Sequence, residues 1–581
     1  MGRLRVRPGA IAPGVLTSQH TFPDSDSVYE RPALNQRNVL LAVMLSAVLL
    51  LGWDALVGYL YPGARNPAAQ RVDTPAEQVA APPAAHTRTG GLDAASLALE
   101  KRELSTALAG GGRVAIDAPR LAGSINLATG AIDDIVLKNY RETVEKGSDP
   151  VRLFSPAGTP AQQFAEFGFL ANGAKVPAGP WQADGAKLTP TTPVTLSKQA
   201  GGLTYRIRFS IDDKYMIRAE QRIDNSGAAG AVVQPYALIN RTDRTASQDM
   251  WIAHSGPMGS FGGEANFDID YETLAEDGLA TPQGRVGWTG FTDIYWLAAL
   301  VPQAGSQATA GYRALGNSLY RADLLYAPVT LAPGSAVSHS TQLFAGAKEM
   351  EVLDAYEEAG VPQFSFAIDW GWFRWFERPF LWLLQQLFAF AGNFGVAIIL
   401  LTVIVRAALF PIAQKGFASM AAMKAVQPKM KDIQTRFKDD KVRQQQEMQK
   451  LFQQEGVNPL AGCLPMLLQM PILYALYKVF VLAIDMRHQP FVLWIKDLSA
   501  PDPAMILNLF GLLPFTPPSF LGIGVLAVLL GVTMWLTFKL NPAPADPVQQ
   551  QMFAIMPWVL MFAMAPFAAG LLLYWITSNI L

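Results

Sequence analysis

Long apolar runs lie in two parts of the chain, one near the N-terminus and the others after residue 390. The first run covers residues 39–61, and a bilayer core requires about 20 helical residues. The later runs are 394–412, 465–484, 520–540 and 553–581. The last run is too long for one simple span and contains Pro566, which breaks or kinks a helix. It therefore predicts two short spans, 553–565 and 567–581, and the whole pattern predicts six membrane spans.

Lysine and arginine are distributed unequally among the loops between these runs. Residues 413–458 contain nine of them against five acids, whereas residues 485–519 contain two against three acids. Because cytosolic loops carry the excess of Lys and Arg, we predict cytosolic N- and C-termini and an external position for residues 62 to about 370. The alternative for the first run is a cleaved secretory signal, although such a signal has a shorter apolar region.

Between the first two runs, apolar and polar residues alternate with the period of two that a half-buried strand requires. Residues 203–211 alternate in this way, and a turn leads into a second strand at 215–223. Similar strands, separated by Gly, Asn or Pro turns, recur to about residue 345. We predict a β-sandwich over residues 92–360, preceded by a Pro/Ala-rich linker at 62–91 and closed by a helix at 348–359.

Residues 370–390 combine many aromatic side chains with two arginines and one glutamate. Trp372, Trp375 and Trp382 suit the bilayer–water boundary, where amphipathic rings are enriched. We predict an amphipathic helix that lies on the outer leaflet. The alternative is a plain continuation of the chain into the next span.

Arg406 lies inside the run 394–412, roughly 9 Å from its cytosolic end. A charge at the centre of a membrane helix costs about 2.5–3.5 kcal/mol, less where the side chain can snorkel. Thr402 lies one helical turn away and Gln469 lies early in the next span, whereas the last five spans contain no acid to pair with Arg406. Snorkelling remains open, but the unpaired charge favours a polar cavity between helices.

The basic segment after this run has a heptad pattern of apolar residues. Its first helix presents Met423, Val426, Met430, Ile433 and Phe437, and after Asp439-Asp440 a second helix presents Val442, Met448, Leu451 and Phe452. This spacing predicts an antiparallel helical hairpin over residues 415–456 in the cytosol. Its charged faces are either simply solvated or form a docking surface for a partner or anionic lipid.

Composition narrows the function classes. Only 16% of residues are charged, with 46 Lys and Arg against 47 Asp and Glu, which argues against a nucleic-acid partner bound through a basic surface. One cysteine and five scattered histidines argue against a disulfide framework and a metal site. We find no catalytic constellation and predict no cofactor, no metal and no enzymatic activity.

Several motifs after residue 370 resemble one known family. They are Gln427-Pro428-Lys429, the hairpin, and the stretches at 457–465, 469–472, 493–499 and 573–579. In order, spacing and topology they are similar to the YidC/Oxa/Alb membrane protein insertases. The large domain between the first two spans, with Asn35–Asn38 just before the first, resembles the Gram-negative type.

The resemblance implies a polytopic α-helical protein of the bacterial inner membrane. It has a cytosolic segment at 1–38, an anchor at 39–61, a β-supersandwich-like periplasmic domain and a five-helix insertase core at 391–581. A hydrophilic groove in the core would be open to the cytosol and closed to the outside. The resemblance places the groove charge on Arg406 and the lining or substrate contacts on Thr402, Gln469, Tyr574 and Trp575.

The implied function is insertion and chaperoning of nascent inner-membrane proteins, alone or with the Sec translocon. The implied partners are nascent membrane proteins, the translocon, the lipid bilayer and the ribosome, which the hairpin would approach. Family members usually continue into a basic tail, so we expect the chain to be incomplete after Leu581 and residues 1–33 to be an extension or a misplaced start. The alternatives are a small-solute transporter and a membrane-anchored periplasmic carbohydrate-binding module.

Overall fold

The computed structural model describes most of the chain after residue 91. The described residues are 92, 94–110, 112–176, 179–247, 253–457, 464–510, 513, 515, 517, 522–540 and 547–581. The predicted N-terminal segment, first anchor and linker lie outside the described residues, as do positions 458–463 of the family motif. Residues Gln434–Glu447 belong to a different structural unit from the other described residues and are treated by themselves.

Residues up to 347 form one helix followed by a run of strands in two sheets, with a second short helix among them. Helix α1 covers Ala94–Ala109 and helix α2 covers Tyr271–Asp277. The strands are β1 (Arg113–Asp117), β2 (Leu121–Asn126), β3 (Ile132–Arg141), β4 (Pro150–Phe154), β5 (Gln163–Ala171), β6 (Ala174–Lys175), β7 (Gln182–Ala183), β8 (Lys187–Leu188), β9 (Val194–Ala200), β10 (Leu203–Ile211), β11 (Met216–Asn225), β12 (Ala231–Thr242), β13 (Gly256–Phe261), β14 (Glu264–Asn266), β15 (Leu279–Ala280), β16 (Val286–Thr292), β17 (Trp296–Pro302), β18 (Ala308–Gly316), β19 (Leu319–Tyr326), β20 (Val329–Leu331) and β21 (Ala336–Ala347).

Within the described residues, the first sheet has 12 strands in the order β15-β18-β19-β12-β5-β3-β2-β1-β8, with β20 on β12, β4 on β3 and β6 on β5. The second sheet has nine strands in the order β14-β13-β16-β17-β21-β11-β10-β9-β7. The alternating segment 203–211 is strand β10, and it pairs antiparallel with β11 after the turn. Both strand predictions are confirmed within one residue at their starts.

The two sheets pack face to face through aromatic side chains. Phe167 of the first sheet meets Phe209 of the second with ring centroids 5.7 Å apart. The amide of Gln221 crosses the same layer, because its Nε2 donates to the carbonyl oxygen of Gly168 at 2.8 Å. The predicted β-sandwich is therefore confirmed, and helix α3 (Met350–Glu358) follows its last strand as predicted.

The rest of the described chain is helical. A 3₁₀ turn at Gly371–Phe373 leads into α4 (Arg374–Ala391), followed by α5 (Phe394–Arg436), α6 (Lys441–Gln454), α7 (Leu464–Leu482), α8 (Val525–Leu540), α9 (Pro547–Met564) and α10 (Ala569–Ile580). The two short helices predicted on either side of Pro566 are present as α9 and α10. Among the described helices, α5 is long and apolar enough to cross a bilayer, and shorter apolar helical stretches lie at Leu467–Leu482, Val525–Leu540, Gln550–Met564 and Ala569–Ile580. The count of six spans therefore stays a prediction.

Helix α5 joins two elements that the sequence predicted as separate. The apolar run and the first helix of the hairpin form one continuous helix of 43 residues, with Pro411 and Pro428 inside it. A proline removes one backbone hydrogen bond, but the Ala, Met, Lys and Gln residues around Pro428 are strong helix formers. The helix therefore continues from the apolar segment into the basic segment without a break.

The hairpin seam is confirmed at its base. Val426 and Met430 of α5 are buried against Leu451 of α6, and Met448 and Phe452 pack beside them. The prediction for Val442 is wrong, because this residue is 68% exposed. It lies in the first turn of α6, where its side chain faces solvent.

In the tip unit, Gln434–Glu447, Asp440 begins the second helix. Its Oδ1 accepts a hydrogen bond from the backbone N–H of Arg443 at 2.9 Å, which caps the N-terminus of α6. The Arg443 guanidinium lies 5.5 Å from the centroid of the Phe437 ring. Asp439 and Lys441 are exposed.

The β domain contacts the helical region through the connection between α7 and α8. Arg487 is buried, and its Nη2 donates to the carbonyl oxygen of Glu142 at 3.3 Å. Its guanidinium also lies 5.2 Å from the centroid of Trp296 and 6.0 Å from that of Tyr295. A cation held against two aromatic rings therefore fixes the β domain on the helices.

Candidate functional site: a polar cluster around Arg406

The site begins with an arginine in the apolar half of α5. Arg406 is half-buried, and its Nη2 donates a hydrogen bond to the backbone carbonyl oxygen of Ser578 on α10. Its Nε is buried without a hydrogen-bond partner. Within the part of the chain that the structure describes, no acidic side chain forms an ion pair with Arg406. The guanidinium therefore keeps donor capacity and a full positive charge beside an apolar bundle.

A second polar contact lies next to this arginine. Gln469 of α7 donates from Nε2 to the hydroxyl oxygen of Tyr574 at 3.0 Å. Tyr574 lies four residues before Ser578 on α10, and residues four apart share a helix face. Gln469 is half-buried, whereas Tyr574 is 1% exposed. Arg406, Gln469, Tyr574 and Ser578, from three helices, are called the Arg406 cluster below.

The other two predicted lining residues, Thr402 and Trp575, lie in different environments. Thr402 lies one turn before Arg406 but is fully buried, and its hydroxyl donates to the carbonyl oxygen of Ile398 at 2.7 Å. The structure thus places Thr402 within the packing of α5 and away from the accessible side of the cluster. Trp575 is half-buried on α10, next to Tyr574 in the chain.

A polar seam between α8 and α10 was missed from the sequence. Asn579 donates from Nδ2 to Thr533 Oγ1 at 3.3 Å, and Thr537 Oγ1 donates to the carbonyl oxygen of Asn579 at 3.3 Å. Asn579 follows Ser578 of the Arg406 cluster, so the seam extends the polar region to a fourth helix. Two threonines four residues apart on a helix that is otherwise apolar up to Lys539 were the available signal.

At the end of the bundle nearest the β domain, aromatic and charged residues are tightly packed. Phe373 meets Tyr474 of α7 with ring centroids 5.9 Å apart. Glu377 of α4 and Lys478 of α7 are both buried. Burial raises the pKa of the Glu377 carboxyl to about 7, while Lys478 opposes this shift and Asp369 adds to it. At this end of the bundle Lys478 is thus enclosed with a buried carboxyl, whereas Arg406 is half-buried and has no acidic partner among the described residues.

The predicted amphipathic helix is present as α4, and two of its tryptophans point outward. Trp375 is 69% exposed and Trp382 is 58% exposed. On the opposite face Leu381 and Leu384 are buried, and α4 packs on α7. Trp372 belongs to the 3₁₀ turn before α4, and its side chain lies outside the described residues.

The hairpin residues lie at its base and tip. Lys429 Nζ contacts Glu455 Oε1 at 2.5 Å, and this pair joins the two helices at the base. Pro428 is exposed within α5, and Gln427 is half-buried. Because exposed ion pairs stabilise a fold by about 0–1 kcal/mol, the Lys429–Glu455 pair fixes register more than it adds stability.

The described residues contain no group of three or more His, Cys, Asp or Glu arranged to hold a metal ion. In the β domain, an open cavity of about 470 Å³ is lined by Gln234, Arg285, Gln307 and Tyr326 among others, with no carboxylate or histidine in its lining. Paired carboxylates are the usual machinery of sugar hydrolysis. The cavity could therefore hold a ligand by hydrogen bonds but presents no acid–base pair.

Comparisons with known proteins cover nearly the whole chain. The family model described as the 60Kd inner membrane protein matches residues 386–581, and the model of the YidC periplasmic domain matches residues 113–383. The membrane protein insertase YidC of Zymomonas mobilis is 41% identical over 94% of this chain and 93% of its own length. The YidC of Rhizobium johnstonii is 42% identical over 94% of both chains. A crystal structure of an active YidC insertase, with its first transmembrane domain resolved, is 17% identical with a TM-score of 0.35 and covers 81% of this chain and 91% of its own.

Proposed function

Because the chain belongs to the YidC family of membrane protein insertases, we propose that the Arg406 cluster receives the polar part of a nascent protein during insertion. The chain is an inner-membrane protein with a periplasmic β domain, and its substrates are nascent membrane proteins. The observation that carries the proposal is a half-buried arginine whose hydrogen-bond partner is a backbone carbonyl and not an acid. An unpaired charge inside a membrane region usually marks a functional site.

The cluster suits the transient binding of polar chain segments. Gln469 and Tyr574 offer hydrogen bonds, and Arg406 offers a positive charge for acidic side chains. A polar segment that enters this groove exchanges part of its hydration for these contacts, so the cost of leaving water is reduced. The apolar segment of the substrate then moves into lipid along α7 and α9, where burial of hydrocarbon in the bilayer drives insertion.

The proposed topology has six spans with both termini in the cytosol. The first span is the run at 39–61, and the remaining five are the apolar part of α5 together with α7, α8, α9 and α10. The exposed tryptophans of α4 support an interfacial position for this helix at the periplasmic surface. The packed Phe373, Tyr474 and Glu377 then close the groove on that side.

The proposed partners other than substrates follow from the cytosolic hairpin. Its exposed basic residues are suited to the ribosome or to anionic lipid, and cooperation with the Sec translocon is proposed from the family relationship. We propose that the chain also acts as a chaperone, needs no cofactor and catalyses no reaction. The relatives named as insertases favour this function over solute transport and over carbohydrate binding by the β domain.

Cysteine labelling in oriented vesicles tests whether the cluster is open on one side only. Cys463 is replaced by alanine, Gln469→Cys is introduced, and a membrane-impermeant maleimide is added from either side. We expect labelling from the cytosolic side and none from the periplasmic side. Leu536→Cys is the control, because this residue is 47% exposed on α8 and would face lipid. Labelling of Gln469→Cys from the periplasmic side, or from neither side, would contradict the proposal.

A further inference from the structure

The connection between α7 and α8 has an inverted distribution of polar and apolar residues. Ten residues between 485 and 510 are exposed; nine of them are apolar and the tenth is Lys496. The nine are Pro490, Val492, Leu493, Pro501, Pro503, Ile506, Leu507, Leu509 and Phe510. A loop that faces water is normally polar, so this segment does not have the composition of a water-exposed loop.

Several polar residues of the same connection point toward the protein. Arg487, Asp502 and Asn508 are all buried. The Asp502 carboxylate accepts hydrogen bonds from Trp494 Nε1 at 2.9 Å and from the backbone N–H of Leu526 at 2.8 Å. These polar groups are satisfied internally, as is required where no water is available outside. The surface left to the surroundings is mostly hydrocarbon.

Backbone strain accompanies the exposed apolar side chains. Leu493, Leu509 and Phe510 have φ values of 56°, 51° and 62°, in the left-handed region that disfavours bulky residues. The other described non-glycine residues with positive φ are polar: the half-buried His488 of the same connection and, outside it, Asn172, Asn317, Ser318 and Gln363. Strain of this kind persists when other interactions offset it. The exposed positions of these three side chains point to an interaction outside the chain.

Neighbouring apolar residues continue the same surface. Asn393, just after α4, donates from Nδ2 to the carbonyl oxygen of Phe491 at 3.1 Å, which brings the end of α4 next to Val492 and Leu493. Phe390 at that end of α4 is 85% exposed, as is Leu493. In the β domain, by contrast, the exposed large apolar side chains among the described residues are scattered: Val144, Val232, Leu279 and Leu315.

We propose that the α7–α8 connection is a lipid-binding surface of the periplasmic leaflet. Leu493, Leu509 and Phe510 insert among the acyl chains, and Lys496 extends to a lipid phosphate, as long basic side chains do at membrane interfaces. Lipid is favoured over a protein partner because both helices that the connection joins are apolar helices of an inner-membrane protein. The proposal depends on the membrane location of the chain and is independent of the role of Arg406.

Depth measurements on the full chain in lipid nanodiscs test this surface. In a Cys463→Ala background, nitroxide labels are placed at Leu493→Cys and Phe510→Cys. Leu279→Cys of the β domain provides the water-exposed control and Leu536→Cys of α8 the lipid-facing control. We expect labels at 493 and 510 to collide more with oxygen and less with a water-soluble nickel chelate than the label at 279. Accessibilities at 493 and 510 that equal the value at 279 would overturn the proposal.

A second measurement uses the native sequence, so it does not depend on the folding of a variant. The chain is reconstituted with a phospholipid that carries a diazirine in its acyl chain, irradiated and digested for mass spectrometry. We expect lipid adducts on peptides that contain residues 492–493 and 506–510, at a yield similar to that of the exposed face of α8. Adducts on α8 without adducts on these peptides would show that something other than lipid covers the connection, and the proposal would fail.

Discussion

Removal of the charge at Arg406 is the perturbation that the account predicts most specifically. Arg406→Ala eliminates the one cation of the cluster and its hydrogen bond to the Ser578 carbonyl. Because the proposed role is electrostatic, the loss is expected for passengers with an acidic translocated tail. A passenger whose tail is neutral should be inserted at nearly the normal rate.

The magnitude follows from the partial burial of the guanidinium. Two unit charges 5 Å apart attract each other by about 3 kcal/mol at an effective dielectric constant of about 20 and by about 1 kcal/mol in bulk water. Arg406 is half-buried, so the value for one carboxylate lies between these limits. This range corresponds to a decrease of about 5-fold to 150-fold in the rate of insertion, if the attraction is lost in the rate-limiting step.

The assay is insertion of a single-span passenger into proteoliposomes, measured by protease protection of the translocated tail. Passengers with Asp or Asn at the same tail positions are compared for the native chain, Arg406→Ala, Arg406→Lys and Lys415→Ala. Arg406→Lys should stay within about threefold of the native rate, because charge matters more than planar geometry in a hydrated groove. Lys415→Ala removes an exposed charge from the same helix and should have little effect. Equal losses for the Asp and Asn passengers in Arg406→Ala would refute the electrostatic reasoning.

Three further predictions concern a neutral hydrogen bond, a buried carboxyl and a buried ion pair. Tyr574→Phe removes the hydroxyl oxygen that accepts a hydrogen bond from Gln469. The insertion rates of the Asp and Asn passengers should therefore fall by the same factor, no more than about fivefold. A loss for the Asp passenger alone would contradict this. The folded state retains the Glu377 proton up to about pH 7, whereas the unfolded carboxyl loses it near 4.5. The protonated carboxyl therefore contributes at most about 3 kcal/mol to the free energy of unfolding, and this contribution is present below pH 4.5 and lost as the pH rises through 7. The thermal unfolding temperature measured in nanodiscs should fall over this pH range, and Glu377→Gln should make it depend less on pH. Arg241→Met removes the guanidinium that pairs with the buried Asp293 carboxylate and should destabilise the β domain by about 3–5 kcal/mol. Arg206→Met, at an exposed pair, should change the unfolding free energy by less than about 1 kcal/mol. Similar effects of the two variants would contradict the burial argument.

Elements that depend on local periodicity were predictable from the sequence. Strand β10 has the alternation of a half-buried strand, and its observed bounds equal the predicted ones. The hairpin seam at Val426, Met430 and Leu451 follows the heptad spacing of its apolar residues. Val442 did not follow, because apolar character alone does not tell whether a residue in the first turn of a helix meets the opposite helix.

Contacts between distant segments were not predictable in this way. The unusual charge of Arg406 was evident in the sequence, but its partner is a backbone carbonyl, and every residue has one. The burial of Thr402 depends on the rotation of α5 against its neighbours, which the one-turn spacing from Arg406 does not determine. Arg487 lies in a loop whose content of charged residues is ordinary, so the sequence did not single it out. Only the three-dimensional fold brings its guanidinium to the rings of Tyr295 and Trp296.

The most direct test of the account is site-specific photocrosslinking during translation. A photoreactive amino acid replaces Gln469 of the Arg406 cluster or Trp575, which follows Tyr574 on α10; both residues are half-buried. Leu536 on the exposed face of α8 is the matched control. Stalled chains of a single-span protein are then used to sample successive stages of insertion. The account predicts adducts between the polar tail of the passenger and positions 469 and 575 at early lengths, without tail adducts at 536. Adducts with lipid alone at 469 and 575, or equal capture of the tail at 536, would contradict it.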